Sequence, residues 1–143
     1  MNVRSILEAK GRSVATISPD ATLADASHML AQKKIGAIVV TATGMSVAGI
    51  LSERDIVRAI SERGAAALDR TVGDTMTRNV ITCSEADTLG QLMETMTAGK
   101  FRHLPVVETG RLVGIMSIGD VVKWRLAEME SETSALKDYI MNS

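Results

Sequence analysis
Apolar positions along this chain follow two alternating rhythms, and the order of those rhythms occurs twice. Residues 14–18 and 80–84 are short extended segments that each end on a serine. Thr22 and Thr88 follow as N-cap candidates, since a threonine hydroxyl can accept from an otherwise unpaired amide in the first helical turn. Leu23, Ala26 and Leu30 then recur at helical spacing, as do Leu89, Leu92, Met93 and Met96. Apolar runs at 37–40 and 104–107 are short enough for buried strands. A glycine-containing turn leads in each case to a second strand, at 47–51 and 112–116. A helix starting near Asp55 or Asp120 closes each unit, which reads β-α-β-β-α.

Direct alignment supports duplication. Thr16 matches Thr82 and Leu23 matches Leu89, an offset of 66, whereas Asp55 matches Asp120, an offset of 65. One residue has been lost between them, and the turns Thr43-Gly44-Met45 and Thr109-Gly110-Arg111 are where such a loss costs least. The chain therefore divides into residues 1–66 and 67–143, with 63–67 as the linker. Neither unit can bury its apolar faces alone, so the expected fold is mixed α/β (α+β), with the two repeats packed sheet to sheet. From 121 to 140 the pattern continues as one long helix, uninterrupted by Pro or Gly.

Composition narrows the chemistry. Aromatic residues make up 2% of the 143, so the core must be aliphatic. A net charge of −1 gives no general attraction to nucleic acid or to an anionic membrane surface. Cys83 is the single cysteine, which excludes an internal disulfide and a zinc cluster and suits a reducing, cytoplasmic setting. No apolar run approaches the ~20 residues of a membrane span. A P-loop, a G-x-G-x-x-G and a Ser-His-Asp arrangement are all missing, so no enzyme activity is expected.

Gly-Ile-Leu-Ser-Glu-Arg-Asp at 49–55, Gly-Ile-Met-Ser-Ile-Gly-Asp at 114–120, Asp-Thr-Met-Thr-Arg-Asn-Val at 74–80 and Phe-Arg-His-Leu-Pro-Val-Val at 101–107 together resemble the CBS domain family. The resemblance spans roughly residues 3–125 and, being tandem, resembles the pair called a Bateman module. It implies pseudo-twofold symmetry, two clefts between the sheets, and frequent homodimers. It also implies a regulatory module that binds an adenosine compound and acts on a separate, unknown protein. AMP is the favoured ligand, with ATP, ADP or NAD(H) as alternatives and S-adenosylmethionine also known in the family.

The corner residues suit such a ligand. A helix start presents unpaired amides and a partial positive charge to phosphate. Ser52 and Ser117 add hydroxyls, and Asp55 and Asp120 can accept from both ribose hydroxyls. Ser and Asp at these positions equally suit a helix cap. Arg102 offers a planar donor fork to phosphate, and His103 a donor that titrates near neutrality. The resemblance places this pair near the phosphates of the site built around the other repeat. The first repeat has Gly36-Ala37 at the matching positions and Val39 where the second has Pro105, so the two clefts must differ. Lys33, Lys34 and Arg54 are candidates to supply positive charge to the first cleft, the alternative being that they coat the surface. By resemblance, Val14, Thr16, Thr77, Val80 and Thr82 would read or flank the adenine, with Ile50 and Ile115 as apolar walls. The competing expectation is a structural or protein-interaction dimer module with no small-molecule ligand. The C-terminal helix is expected to pack across a homodimer, the alternative being a frayed, solvent-facing end.

Overall fold
The computed structural model describes residues 1–142. The elements run α1 (Val3–Lys10), β1 (Thr16–Ile17), α2 (Leu23–Lys33), β2 (Ala37–Thr41), β3 (Val47–Ser52), α3 (Glu53–Arg63), α4 (Val72–Thr75), α5 (Leu89–Gly99), β4 (His103–Glu108), β5 (Arg111–Ser117) and α6 (Ile118–Asn142). The fold is mixed α/β, as the alternating rhythms predict. In the first repeat β2 lies between β1, parallel to it, and β3, antiparallel to it. In the second, β4 and β5 pair antiparallel, and the expected first strand is reduced to a bridge between Cys83 and Val106. The predicted linker is structured: Gly64–Asp69 form a 3-10 turn whose Ala67 is fully buried.

Local chemistry sets the helix starts. Thr22 caps α2 in a reciprocal box with Asp25, and Thr88 caps α5 in the same way with Gln91. Each box satisfies two amides that would otherwise lack partners. Both helices end at a lysine in the left-handed conformation, Lys34 at φ 54° and Lys100 at φ 57°. That reversal turns the chain directly into β2 or β4, so 35–37 and 101–103 enter their strands at matching places.

The two cores are not contiguous in sequence. Ile17, Leu23, Ile38, Val40 and Leu51 pack with Val72 and Met76, which come after the linker. Leu89, Leu92, Leu104, Val106 and Met116 pack with Val3, Ile6 and Leu7 from the N-terminus. Matching backbone bonds seat these leading segments. Val72 N donates to Ala21 O (2.7 Å) and Leu23 N to Arg70 O (2.9 Å), while Val3 N donates to Asp87 O (2.9 Å) and Leu89 N to Met1 O (3.1 Å). Glycine makes the close approach possible. A Cβ at Gly49 would sit 2.6 Å from Met76 Sδ, and one at Gly114 would sit 2.8 Å from both methyl carbons of Leu7. Each leading segment thus crosses to a sheet and ends at the mouth of a strand-to-helix corner.

Candidate functional site
Both corners are closed by the same local bonding. At the first, Asp55 N donates to Ser52 Oγ (3.3 Å), while Asp55 Oδ2 accepts from Ser52 N (2.9 Å) and Ser52 Oγ (3.1 Å). At the second, Asp120 N donates to Ser117 Oγ (3.1 Å) and Ser117 N donates to Asp120 Oδ2 (2.9 Å). The first amide of each helix is also taken: Glu53 N donates to Gly36 O (3.0 Å) and Ile118 N to Arg102 O (2.8 Å). This narrows the expectation of unpaired amides at the helix starts, because the first and third amides of each helix are engaged. A serine and an aspartate three residues apart satisfy each other first, and the strand entry of the same repeat supplies the remaining acceptor. The acceptor capacity still available to a ligand resides in the carboxylates, since an ionised carboxyl has about four lone-pair sites.

Each corner opens into a cleft lined by both repeats. The Asp55 cleft, about 320 Å³, brings Ile50, Ser52, Arg54 and Asp55 together with Thr77, Arg102 and His103. The Asp120 cleft, about 820 Å³, brings Ile115, Ser117 and Asp120 together with Val14 and His103. Thr16, Val80, Thr82 and Pro105 line neither. Thr16 is engaged in β1 opposite Val39, and Pro105 is buried in β4 opposite Ile115. Val80 and Thr82 lie in the extended approach to Cys83, with Thr82 exposed. A third groove, about 540 Å³ between α2 and α3, is lined mainly by Leu30, Ile35, Ile56 and Val57.

The clefts share a partition. His103, Gly36 and Ala37 line both. A Cβ on Gly36 would stand 3.8 Å from His103 Cε1, so the two strand entries approach each other there. Burial pushes the His103 imidazole below its usual pKa, and Arg102 and Lys10 push the same way. Asp120 and Glu53 oppose them without prevailing. His103 is therefore held neutral where it separates the clefts.

Lys10 makes the two corners unequal, and no periodicity or spacing in the sequence pairs it with either. As the last residue of α1 it reaches the second corner, where Nζ donates to Asp120 Oδ2 (2.6 Å) and to Ile115 O (2.7 Å). Burial tends to raise the Asp120 pKa. The bonds from Lys10 and Ser117 outweigh it and hold the carboxyl below its usual range. At the first corner the matching carbonyl, Ile50 O, accepts from Thr77 N (2.9 Å), a backbone group without charge. Among the described residues Asp55 has Arg58 as its one ion-pair partner, at 3.6 Å, and that arginine is largely exposed. Lys100, Phe101 and Glu53 also line the Asp55 cleft, whereas Lys33, expected at the first-repeat cleft, lines the Asp120 cleft because the end of α2 lies on that side of the Gly36-Ala37 entry. Repeat alignment points to Phe101, which occupies the position of Ile35, but not to Lys10.

Cys83 is buried, with its thiol pushed up to about 12 by burial and by Asp87 and Glu108, so it remains protonated and inert. Among the described residues no group of three or more His, Cys, Asp or Glu could hold a metal ion. No helix among them is long and apolar enough to cross a membrane.

The sequence model of the CBS domain matches residues 3–62 and 72–127. The CBS domain-containing protein CBSX3, mitochondrial, of Arabidopsis thaliana is 33% identical over 146 residues, covering 96% of this chain and 71% of that protein. The crystal structure of a CBS-domain containing protein from Agrobacterium tumefaciens superposes with a TM-score of 0.82 at 51% identity, over 87% of this chain and 92% of that one. The crystal structure of CBSX2 in complex with AMP superposes at 0.72 with 27% identity, over 81% of this chain and 90% of that one.

Proposed function
The chain belongs to the CBS domain family as a tandem pair, and from that premise we propose that it is a non-catalytic regulatory module that binds an adenosine nucleotide, AMP first. The observation that carries this is the composition of the clefts. Each joins a Ser–Asp corner from one repeat to the strand entry of the other, so a ligand in either cleft touches both repeats at once. Asp55 and Asp120 accept from the ribose hydroxyls. Ile50 with Thr77, and Ile115 with Val14, flank the base. Arg102, assisted by Arg54 and His103, takes the phosphate in the Asp55 cleft. The AMP bound to CBSX2 supports the ligand class. Both cleft volumes fall in the range of roughly 300–1,000 Å³ typical of small-molecule sites. ATP, ADP and NAD(H) fit the same chemistry with more phosphate. The module works as a homodimer in the cytoplasm and passes ligand occupancy to a separate protein.

A ligand that binds the native state alone raises stability by RT ln(1 + [L]/Kd), or about 2.7 kcal/mol at a hundredfold excess over Kd. AMP should therefore raise the melting temperature of the wild type, and the Asp55→Ala, Asp120→Ala double variant should lose that rise. A wild-type protein indifferent to AMP, ATP and NAD(H) would leave the ligand-free interaction module as the correct reading.

A further inference from the structure
We propose that the outer half of α6 is one strand of a parallel two-stranded coiled coil formed with a second copy of this chain. This rests on the homodimer reading above and specifies the surface that makes the dimer. The body of the protein holds only the start of α6: Val121 is buried, and Trp124, Arg125 and Glu128 are partly covered. From Met129 to Asn142 every residue is exposed, a length of about 21 Å at 1.5 Å per residue. Most helical stability in proteins comes from packing an apolar face, so a partner surface would stabilise a projecting segment of this length.

Its side chains describe that partner. Val122, Leu126, Met129, Thr133, Leu136 and Ile140 succeed one another at spacings of four, three, four, three and four, the repeat that keeps one seam facing a neighbouring helix. Leu126, Met129 and Leu136 are 53%, 48% and 59% exposed. With Leu126 and Thr133 at the a positions and Met129 and Leu136 at d, the flanking g positions are Arg125 and Glu132, and the following e positions are Glu130 and Lys137. In a parallel, in-register pair each g faces the e five residues further along the other helix. Arg125 then meets Glu130 of a second copy, and Glu132 meets Lys137, both with opposite charge. Arg125 also holds Glu128 of its own helix at 3.3 Å. An unrelated apolar partner would have no reason to match both charged positions of this same sequence.

Light scattering on the full chain, with cysteine cross-linking, tests this. The wild type should be dimeric. Leu126→Asp with Leu136→Asp should raise the dissociation constant at least about a hundredfold, from the lost burial of four leucines. The thermal unfolding of the monomer body should not change, because both positions are exposed. Glu132→Lys should weaken the dimer by about twofold to fivefold, and adding Lys137→Glu should restore it. Leu136→Cys should form an inter-chain disulfide with itself on mild oxidation. Cross-linking only between a Leu136→Cys chain and a Leu126→Cys chain would mean an antiparallel pair and would overturn the proposal. A dimer that survives the double aspartate variant would retain the homodimer reading and remove α6 from it, whereas a monomeric wild type would end both.

Discussion
The Asp55 and Asp120 clefts descend from one duplicated corner, yet they present different chemistry. Both have the Ser–Asp cap, the isoleucine two residues ahead of the serine, and a wall from the opposite repeat. They differ in what each leading segment and each opposing strand entry brings. At the Asp55 cleft, Thr77 contributes its backbone and the second repeat contributes Arg102 and His103. At the Asp120 cleft, α1 contributes the Lys10 ammonium, and the first repeat contributes Gly36 and Ala37 at the matching strand entry, with Val14, Lys33 and Ile35 beside them. One corner faces the Arg102 guanidinium across the cleft, with its own carboxylate bonded within its cap and flanked by the largely exposed Arg58. The other faces an uncharged strand entry with Lys33 beside it, and its carboxylate is already bridged by an ammonium. Duplication preserved the local cap because it stabilises the helix start, while the residues that arrive from elsewhere were free to diverge.

The largest expected effect concerns the leading segments. Leu7 is fully buried beneath Gly114, so Leu7→Ala should cost about 2–5 kcal/mol, read from the midpoint of urea unfolding. The same substitution at Met76, 8% exposed and with a more adaptable side chain, should cost less. Equal costs would mean that the two crossings are energetically equivalent after all.

Asp55→Ala comes next. A hydrogen bond to a charged group contributes roughly 1.5–3 kcal/mol, so AMP affinity at that cleft should fall by about ten- to a hundredfold. The amide signal of Arg54 in a ¹⁵N titration reports this cleft, and that of Gly119 reports the other. A loss confined to the Gly119 signal would move the phosphate contacts to the other cleft.

Lys10→Met sharpens the contrast from the other side. Removing the ammonium frees Asp120 and the Ile115 carbonyl, so uncharged adenosine should bind the Asp120 cleft roughly tenfold more tightly. Lys10→Arg, which keeps the charge, should not show the gain. An unchanged adenosine affinity in Lys10→Met would show that the bridge does not compete with a ribose.

The smallest effect is that of pH on the shared partition. The His103 pKa lies below its usual 6.5 in the folded protein because of burial. The unfolded chain then takes up a proton on this residue before the native one does, so its stabilising contribution is complete above pH 6.5 and is lost as pH falls toward the folded value. His103→Gln should flatten the decline in melting temperature between pH 7 and pH 5. An unaltered slope would assign that decline to the carboxylates instead. Asp120, also shifted down, loses its contribution only at lower pH, as acid passes through the folded carboxyl range.

Periodicity, capping residues and self-alignment determined much of this protein without coordinates. The β-α-β-β-α order, the caps at Thr22 and Thr88, the single C-terminal helix and the Ser–Asp corners all depend on residues within a few positions of one another. Arg102 and His103 were legible as candidates because they stand at the entry of a buried strand within a stretch that carries the family resemblance, and Gly36-Ala37 at the matching place showed that the clefts differ. Tertiary structure alone decided which carboxylate they face, that His103 separates two clefts, that α1 and α4 exchange between the repeats, and that Lys10 closes on Asp120 from 110 positions away. Local patterns encode hydrogen bonds and burial along one element. The meeting of distant side chains depends instead on how two cores pack, and a lysine at the end of a short helix carries no mark of the carboxylate it will find.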